Sequence, residues 1–338
     1  MSLHPTNEAE AVPRRIVAIG GGTGLPGVLR GLRQLVDASE PTNLTAIVAM
    51  SDDGGSSGRL RRNRGLPPPG DVRNCIVALS DEEDLLAGLF QHRYDGGEEL
   101  GGHNLGNLIL AALAEQTGSF LNAVEVSSKV LRTVGRILPV TLDDVRLEAT
   151  TATGAGIAGE SAINECSETI REVRLSPQDA SPAPGVVEAI RDADLVAFGP
   201  GSLYTSVLPN LVLPEVAQAL RQTGAVRVLV GNLVSERGEC PDLGLAGHVR
   251  VIEEHAHGSV VDALLVNDGP VSNEIRARYE AEGTRPLEAP DELSPGVQLL
   301  SRPLADEGLK LRHAPLATAQ GLLAAWRTVR DARVEESR

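Results

Sequence analysis

The 338-residue sequence is poor in aromatic residues, which make up 2% of it, and poor in positive charge. Lys and Arg number 31 against 46 Asp and Glu, which gives a formal net charge of −15. A chain with so few stacking side chains and this excess of negative charge is unsuited to bind nucleic acid or an anionic membrane unaided. The composition therefore favours a small-molecule ligand and a core of Leu, Val, Ile and Ala.

Cysteine is also scarce, and the sequence contains no long uninterrupted apolar run. Cys75, Cys166 and Cys240 are scattered without a CxxC spacing, which indicates reduced thiols and argues against a structural zinc site. The charge-free stretch 195–214 contains glycine and proline, which a membrane helix would not normally carry. We therefore expect a cytoplasmic protein without membrane insertion, whose polar residues 1–13 form a disordered leader.

Short apolar runs recur along the chain, and each one ends in a loop rich in Gly, Asn or Asp. They occupy residues 15–20, 44–50, 194–199, 226–231 and 262–267, and helical patterns separate them. Continuous apolar strands that alternate with helices predict a mostly parallel, doubly wound α/β sheet. We expect one domain over 14–327, with a helical insertion at about 71–133 that caps the ligand site, and a flexible tail at 328–338.

The first predicted strand runs directly into Gly20–Gly24, a glycine-rich loop that opens a helix. Glycine is suited to such a loop because backbone amides can then approach a phosphate closely. The segment 22–27 also fits G-x-G-x-x-G, so an NAD site is an alternative, but Asp52 lies about 30 residues on, where about 20 is usual. A tight turn without any ligand is the third interpretation.

Two adjacent carboxylates, Asp52 and Asp53, follow the second predicted strand in a loop with two hydroxyls and three glycines. These carboxylates could bind Mg²⁺, accept hydrogen bonds from a ribose and a base, or form Asx turns. Arg59 begins a run of arginines that either holds phosphate or forms a solvated face.

Three further segments place polar residues at predicted helix starts or strand ends. Asp71 either caps the helix that follows or contacts a ligand, and the same alternatives apply to His103 and Asn104. The loop Gly199–Thr205 ends another predicted strand and offers the hydroxyls of Ser202 and Thr205. A serine nucleophile is not favoured, because the sequence lacks a G-x-S-x-G elbow.

These loops together carry a family resemblance that covers nearly the whole chain. The motifs are GGGTGLP at 20–26, SDDGGSSGRLR at 51–61, PPGDVRNC at 68–75, GHNLGN at 102–107, GES at 159–161 and GPGSLYTSVLPNL at 199–211. In this order they resemble the YvcK/CofD-like family, and specifically its YvcK branch, called gluconeogenesis factor. The resemblance implies a Rossmann-like three-layer α/β sandwich with a mostly parallel central sheet.

The two branches of this family imply different activities. The YvcK branch resembles a cytosolic binder of UDP-sugars, such as UDP-N-acetylglucosamine, that supports cell-wall synthesis and cell shape during gluconeogenic growth. The CofD branch transfers a phospholactyl group from a guanosine diphosphate carrier to a deazaflavin alcohol and releases GMP. This chain lacks the S-P-D-L-D-T type segment of the transferases and so resembles the YvcK branch. A Mg²⁺-dependent transferase is the alternative, and an NAD(P)-linked oxidoreductase is a weaker one.

The resemblance also implies which residues contact the ligand. The ligand-binding residues expected are Gly20, Gly21, Gly22, Thr23, Gly24, Asp52, Asp53, Gly54, Ser56, Ser57, Arg59, Gly70, Asp71, Arg73, Asn74, His103, Asn104, Asn107, Gly199, Pro200, Gly201, Ser202, Leu203, Tyr204, Thr205, Asn232 and Arg312. For Arg312 a solvated surface arginine is an equal alternative. Asp52 and Asp53 would be catalytic, and the candidate Mg²⁺ ligands, only in a transferase. A homo-oligomer and a cell-wall synthesis protein are the expected protein partners.

Overall fold

Seven parallel strands form the central sheet of the computed structural model, which describes residues 12–35, 43–80, 85–97, 100–236 and 243–337. The strands are β1 (Arg15–Gly20), β2 (Asn43–Val48), β3 (Arg136–Pro139), β7 (Leu195–Phe198), β8 (Val226–Val230), β9 (Ala263–Asn267) and β10 (Gln298–Arg302). Their order across the sheet is β10-β9-β8-β7-β1-β2-β3. The mostly parallel α/β sheet predicted from the sequence is therefore confirmed.

The strand order reverses between β1 and β7, which lie side by side in the middle of the sheet. Ile19 of β1 is in register with Phe198 of β7, and Gly20 with Val48 of β2. The carboxyl ends of β1, β2 and β7 therefore open at the same edge. In sheets of this kind, ligands bind in the crevice at such a reversal.

Helices pack against the sheet and bury its apolar strands. Those outside the helical insertion are α1 (Gly24–Leu35), α8 (Val186–Asp192), α9 (Leu208–Leu211), α10 (Pro214–Gln222), α11 (Leu245–His255), α12 (Asn273–Ala281) and α13 (Pro315–Glu336). Helix α1 packs against α13, and α8 packs against α10. The central residues of β1 and β7, such as Ile19 and Phe198, are fully buried as a result.

The segment between β2 and β3 is helical throughout its regular elements. It contains α2 (Gly55–Arg64), α3 (Gly70–Leu79), α4 (Leu85–Gln91), α5 (Leu105–Thr117) and α6 (Phe120–Val130). The helical region thus begins at Gly55, earlier than the boundary near residue 71 that the sequence suggested. Its first two helices follow directly from the acidic loop after β2, so they start next to the crevice.

Two smaller sheets contain the other strands of the described residues. The first is antiparallel, in the order β5-β4-β6, and consists of β4 (Arg146–Thr151), β5 (Gly156–Ala158) and β6 (Ile170–Ser176), with the short helix α7 (Glu160–Asn164) after β5. The second pairs β11 (Ala305–Glu307) with β12 (Leu311–His313).

The structure describes the C-terminal end of the chain almost completely and little of the expected N-terminal leader. Of the expected leader, residues 1–11 lie outside the described residues, as does Cys240. Where a flexible tail was expected at 328–338, residues 328–336 continue helix α13. Val329 is buried there, and Arg333 pairs with Asp262 at 2.8 Å. Within the described ranges, no helix has the length and apolar content that crossing a bilayer requires.

Candidate functional site at the strand reversal

The loops after β1 and β7 meet at the strand reversal. The Gly199 amide donates to the Ile19 carbonyl at 2.8 Å, so the second loop leaves the sheet beside the first. A Cβ on Gly24 would lie 1.8 Å from the Pro200 carbonyl oxygen, which only glycine avoids. The structure therefore brings the segments 20–24 and 199–205 together, and it explains why glycine is needed at position 24.

Asp71 closes one side of the first loop. The Gly22 amide, whose residue has φ +61°, donates to Asp71 Oδ2 at 2.6 Å. Asp71 lies in the first turn of α3, and Pro69 holds the N-cap position, so the helix-capping interpretation of Asp71 is wrong. Burial raises the pKa of Asp71 to about 6, against the opposing effect of the Gly22 hydrogen bond.

The two aspartates after β2 have separate partners. Asp52 Oδ1 accepts from the Gly54 amide at 2.9 Å, which is the Asx-turn geometry that was one of the predicted alternatives. Asp53 Oδ1 accepts from the amide and the hydroxyl of Ser161, at 3.0 and 2.7 Å. Burial raises the pKa of Asp52. The Asp53 contact ties the small antiparallel sheet to the edge of the central sheet.

Glu160 is a site residue that the sequence analysis did not assign. It begins helix α7, next to Ser161, and it is electrostatically coupled to Asp52, Asp53 and Asp71. Burial, followed by these three carboxylates, raises the pKa of Glu160 to about 9. It is therefore a neutral carboxylic acid at neutral pH and can donate a hydrogen bond. The GES motif at 159–161 was the available signal.

The second loop is held in place by side chains from neighbouring elements. Asn232, which follows β8, accepts from the Gly201 amide and donates to the Gly201 carbonyl, both at 2.9 Å. Ser202 caps the π-helical turn Leu203–Val207 by accepting from the Thr205 amide at 3.2 Å. Thr205 Oγ1 donates to Asn164 Oδ1 of α7 at 3.1 Å. Because π-helical turns are rare and concentrate at functional sites, this one is consistent with a binding loop.

Two predicted ligand-binding residues of this loop are core residues. Leu203 is 4% exposed and Tyr204 is 1% exposed, and the Tyr204 hydroxyl donates to the Ile170 carbonyl at 3.1 Å. The Tyr204 hydroxyl anchors the loop to β6, and any ligand contact from these two buried residues would come from backbone atoms.

The start of α5, within the helical insertion, forms one rim of the crevice. Asn104 caps α5 by accepting from the Asn107 amide at 3.2 Å, so the capping interpretation of Asn104 is confirmed. His103 Nδ1 lies 3.1 Å from Ser56 Oγ, and burial followed by the nearby Arg59 charge lowers the pKa of His103. Arg59 itself donates to the Gly101 carbonyl at 2.9 Å. These contacts join α2 to the segment before α5.

Buried polar groups near this rim are incompletely satisfied. Arg73 is buried and its guanidinium donates to Asn74 Oδ1, while its Nε has no hydrogen-bond partner among the described residues. Asn107 Oδ1 is likewise buried without a partner in the described part of the chain. Ser57 Oγ accepts from the Gly70 amide at 3.1 Å and so links α2 to α3.

The remaining predicted residue, Arg312, lies on β12 away from these hydrogen bonds. It is exposed and lies opposite Asp306 in the backbone register of the small hairpin. Its neighbour His313 points back to the main sheet, where Nε2 lies 3.1 Å from the Gly231 carbonyl, and burial lowers its pKa to about 4. His313 is therefore the residue of this segment that contacts the end of β8.

The side chains of the described residues do not by themselves form a metal site. Among the described residues, no group of three or more His, Cys, Asp or Glu side chains is arranged to hold a metal ion. In each of Asp52, Asp53 and Asp71, one carboxylate oxygen already accepts a hydrogen bond from a backbone amide or a hydroxyl. A cation at this edge would therefore need ligands from the bound molecule as well, as Mg²⁺ at phosphates usually has.

Comparison with known proteins shows the family. The family model described as 2-phospho-L-lactate transferase CofD matches residues 16–305. The gluconeogenesis factor of Bacillus subtilis (strain 168) is 44% identical over 274 residues, which are 81% of this chain and 85% of that protein. The gluconeogenesis factor of Halalkalibacterium halodurans is 43% identical over 274 residues, which are 81% of this chain and 84% of that protein.

A solved structure agrees with the fold described above. The crystal structure of a UPF0052 family member from Bacillus halodurans has a TM-score of 0.85 to this chain at 40% sequence identity, and the match covers 92% of this chain and 99% of that one. The chain therefore belongs to the CofD family, and the relatives that it matches over most of their length are named gluconeogenesis factors.

Proposed function

We propose that this chain is a cytoplasmic regulatory protein that binds a UDP-sugar, such as UDP-N-acetylglucosamine, and supports cell-wall synthesis and cell shape during gluconeogenic growth. The observation that carries the proposal is that two glycine loops meet at the strand reversal. Gly24 lies so close to the Pro200 carbonyl that no side chain fits at position 24. Names of relatives as gluconeogenesis factors support the physiological part.

The proposed diphosphate position follows from the backbone. Helix α1 begins at Gly24, directly after the loop, and the free amides at a helix start together with its dipole favour a phosphate group. The second loop approaches from β7, so a diphosphate between the loops would contact backbone from both sides. In this arrangement Asn232 acts as a positioning residue, because it fixes both polar groups of Gly201.

The acidic side of the crevice suits the sugar and the base. Asp52 and Asp53 can accept hydrogen bonds from sugar hydroxyls or from a base N–H, and protonated Glu160 can donate one. Carboxylates also repel a diphosphate, so we expect Mg²⁺ or protonation of Asp71, whose pKa is about 6, to accompany binding.

Regulation would act through helix α7. Ser161 holds the loop after β2 and Asn164 holds the loop after β7, so α7 spans the proposed ligand position. A ligand that binds these two loops more tightly in one position of α7 shifts the population toward that position. A protein partner that binds the surface of the small antiparallel sheet would then detect the change in the position of α7.

Calorimetric titration tests the binding proposal. UDP-N-acetylglucosamine should bind to the purified chain more tightly than GDP or NADP does. Asn232→Ala should weaken that binding at least tenfold, whereas Asn267→Ala, which alters the equivalent asparagine at the end of β9, should leave it unchanged. Absence of UDP-sugar binding at millimolar ligand, or tighter binding of NADP, would refute the proposal.

A Mg²⁺-dependent transferase is the second candidate, favoured by the name of the matching family model and by the carboxylates around the loops. Here Mg²⁺ would be held by Asp52 or Asp53 together with the donor's phosphates. With a phospholactyl-guanosine diphosphate donor and a deazaflavin alcohol, the chain should release GMP, and Asp53→Asn should abolish the release without loss of fold. Unchanged GMP release in Asp53→Asn, or none in the parent chain, counts against this candidate.

A further inference from the structure

A second cavity lies at the opposite edge of the central sheet, at the starts of β1, β7 and β8. It has a volume of about 720 Å³, and the last turns of α13 form one wall. Its lining includes Arg15, Arg191, Arg330, Arg333, Asp194 and Trp326. None of these residues takes part in the site at the strand reversal.

The charged side chains that line this cavity are mostly arginines, two of which pair with Asp262 and Asp331 outside the lining. Four arginines and one aspartate line it, although the chain carries a net charge of −15. The aspartate, Asp194, already accepts three hydrogen bonds, from the amides of Arg14 and Arg15 and from the Arg15 guanidinium, at 2.8 to 3.0 Å.

The arginines are held in place by partners that use only part of their donors. Arg333 pairs with Asp262 at 2.8 Å and donates to the Gly224 carbonyl at 3.1 Å. Arg330 pairs with Asp331, and Arg191 is exposed on α8. A guanidinium has five N–H donors, so these contacts leave donors for a ligand.

Trp326 forms a rigid wall of the cavity. Its indole N–H donates to the Asp194 carbonyl at 3.0 Å, and the Arg330 guanidinium carbon lies 4.6 Å from the ring centroid. Stacking on the ring fixes the plane of the Arg330 guanidinium. The ring is 7% exposed, so the cavity offers charge and hydrogen bonds to a ligand and little free aromatic surface.

We propose that this cavity binds a small phosphate-bearing anion as a second ligand site. Guanidinium groups recognise phosphate through paired, charge-assisted hydrogen bonds. The arginines come from β1, α8 and α13, so several of them can share the oxygens of one phosphate group, which offers more acceptors than a carboxylate does. The volume lies in the range of ligand sites for small metabolites. Strand β1 spans six residues, so at about 3.3 Å per residue the two sites are roughly 20 Å apart and can be filled independently.

The fluorescence of Trp326 tests the proposal directly, because it is the one tryptophan in the sequence. Titration with inorganic pyrophosphate should change its emission saturably, succinate should bind at least tenfold more weakly, and NaCl at matched ionic strength should produce no saturable change. Arg191→Gln should weaken pyrophosphate binding at least tenfold. Arg250→Gln, which alters an exposed arginine of α11 that pairs with Glu254, should have no effect.

Two results would overturn the proposal: no saturable response to pyrophosphate, or equal affinity in the parent chain and Arg191→Gln. Equal binding of succinate would overturn the assignment to phosphate. Asn232→Ala should retain the full fluorescence response, so failure of the UDP-sugar proposal and failure of this one are separate results.

Discussion

Glu160 shows how a single residue can couple the candidate site to pH. Its pKa is about 9 in the folded chain, because burial and the carboxylates of Asp52, Asp71 and Asp53 disfavour its charged form. In the unfolded chain it returns to its ordinary value of 4.5. Between these two values the folded chain binds more protons than the unfolded chain, so the free energy of unfolding falls as pH rises.

We predict that Glu160→Gln removes much of this pH dependence. The parent chain should lose stability between about pH 5 and pH 9, with a slope contribution from Glu160 of up to about 1 kcal/mol per pH unit. Urea unfolding at pH 6, 7 and 8 measures it, and the stability advantage of Glu160→Gln over the parent should grow with pH. Asp71, whose pKa is about 6, still titrates in Glu160→Gln, so some pH dependence remains in this variant. The control variant is Glu188→Gln, on the exposed start of α8. Parallel stability curves for the parent and Glu160→Gln would contradict the prediction.

For single residues, the sequence predicted which residues lie at the strand ends better than it predicted what each of them does. The glycines and aspartates of the loops were found because strand ends in parallel sheets are ligand sites. Glu160 was missed because it reaches the crevice from helix α7, which follows a strand of the small antiparallel sheet and lies about 100 residues along the chain from Asp53. Tyr204 was assigned to the ligand because it lies within a motif of the family resemblance, whereas the fold turns its ring into the core.

Among the secondary-structure elements, the contact between α1 and α13 depends on a glycine. A Cβ on Gly31 would lie 1.9 Å from the Pro315 carbonyl oxygen, whereas a Cβ on Gly27 would meet no atom within 4 Å. Gly31→Ala should therefore push the helices apart and lower the free energy of unfolding by about 1–3 kcal/mol. Gly27→Ala should raise it by up to about 1 kcal/mol, because alanine favours the helix. Thermal unfolding of the two variants measures both effects, and equal midpoints would show that the helices do not pack as described.

The small antiparallel sheet is attached to α11 through His255. His255 Nε2 accepts from the Val173 amide of β6 at 3.2 Å, and Nδ1 lies 2.8 Å from the Val251 carbonyl. These contacts require the neutral ring with its proton on Nδ1. The residue therefore satisfies a backbone amide at the edge of β6.

His255→Leu should leave that amide without an acceptor and cost about 1–3 kcal/mol of stability. Hydrogen exchange of the Val173 amide should accelerate in this variant. His257→Asn is the matched control, because His257 is exposed at φ +53°, a conformation that asparagine tolerates. An unchanged exchange rate at Val173 in His255→Leu would show that the edge is held by other contacts.

The strands that the sequence predicted are the interior strands of the central sheet. The sequence predicted β1, β2, β7, β8 and β9 because each is a short, mostly apolar run that ends in a loop rich in Gly, Asn or Asp. It did not predict β3 and β10, which form the two edges of the central sheet. β3 has four residues and ends in proline, and β10 mixes polar and apolar residues because one face is partly exposed. β3 is buried but too short to show a pattern, whereas β10 lacks the burial that gives a continuous apolar run.

For the molecule as a whole, helix α13 joins distant parts of the chain. It contacts α1 and the strands β8, β9 and β10, and its last turns close the arginine-lined cavity. Val329 is 4% exposed and Trp326 is 7% exposed, so the end of this helix contributes to the core. A flexible tail was expected here because the residues after Trp326 fall outside the family motifs.

We therefore predict that deletion of residues 328–338 destabilises the whole chain. The deletion exposes the indole of Trp326 and removes the buried Val329 side chain, which alone contributes about 1.5–3 kcal/mol. It also removes Arg333, the partner of Asp262. The thermal midpoint should fall and the tryptophan emission should shift to longer wavelength. Deletion of residues 334–338 is the control, because it retains Arg333 and removes only the exposed end of the helix. If both deletions leave midpoint and emission unchanged, the end of α13 does not pack against the sheet, and the cavity that it closes is not a formed site.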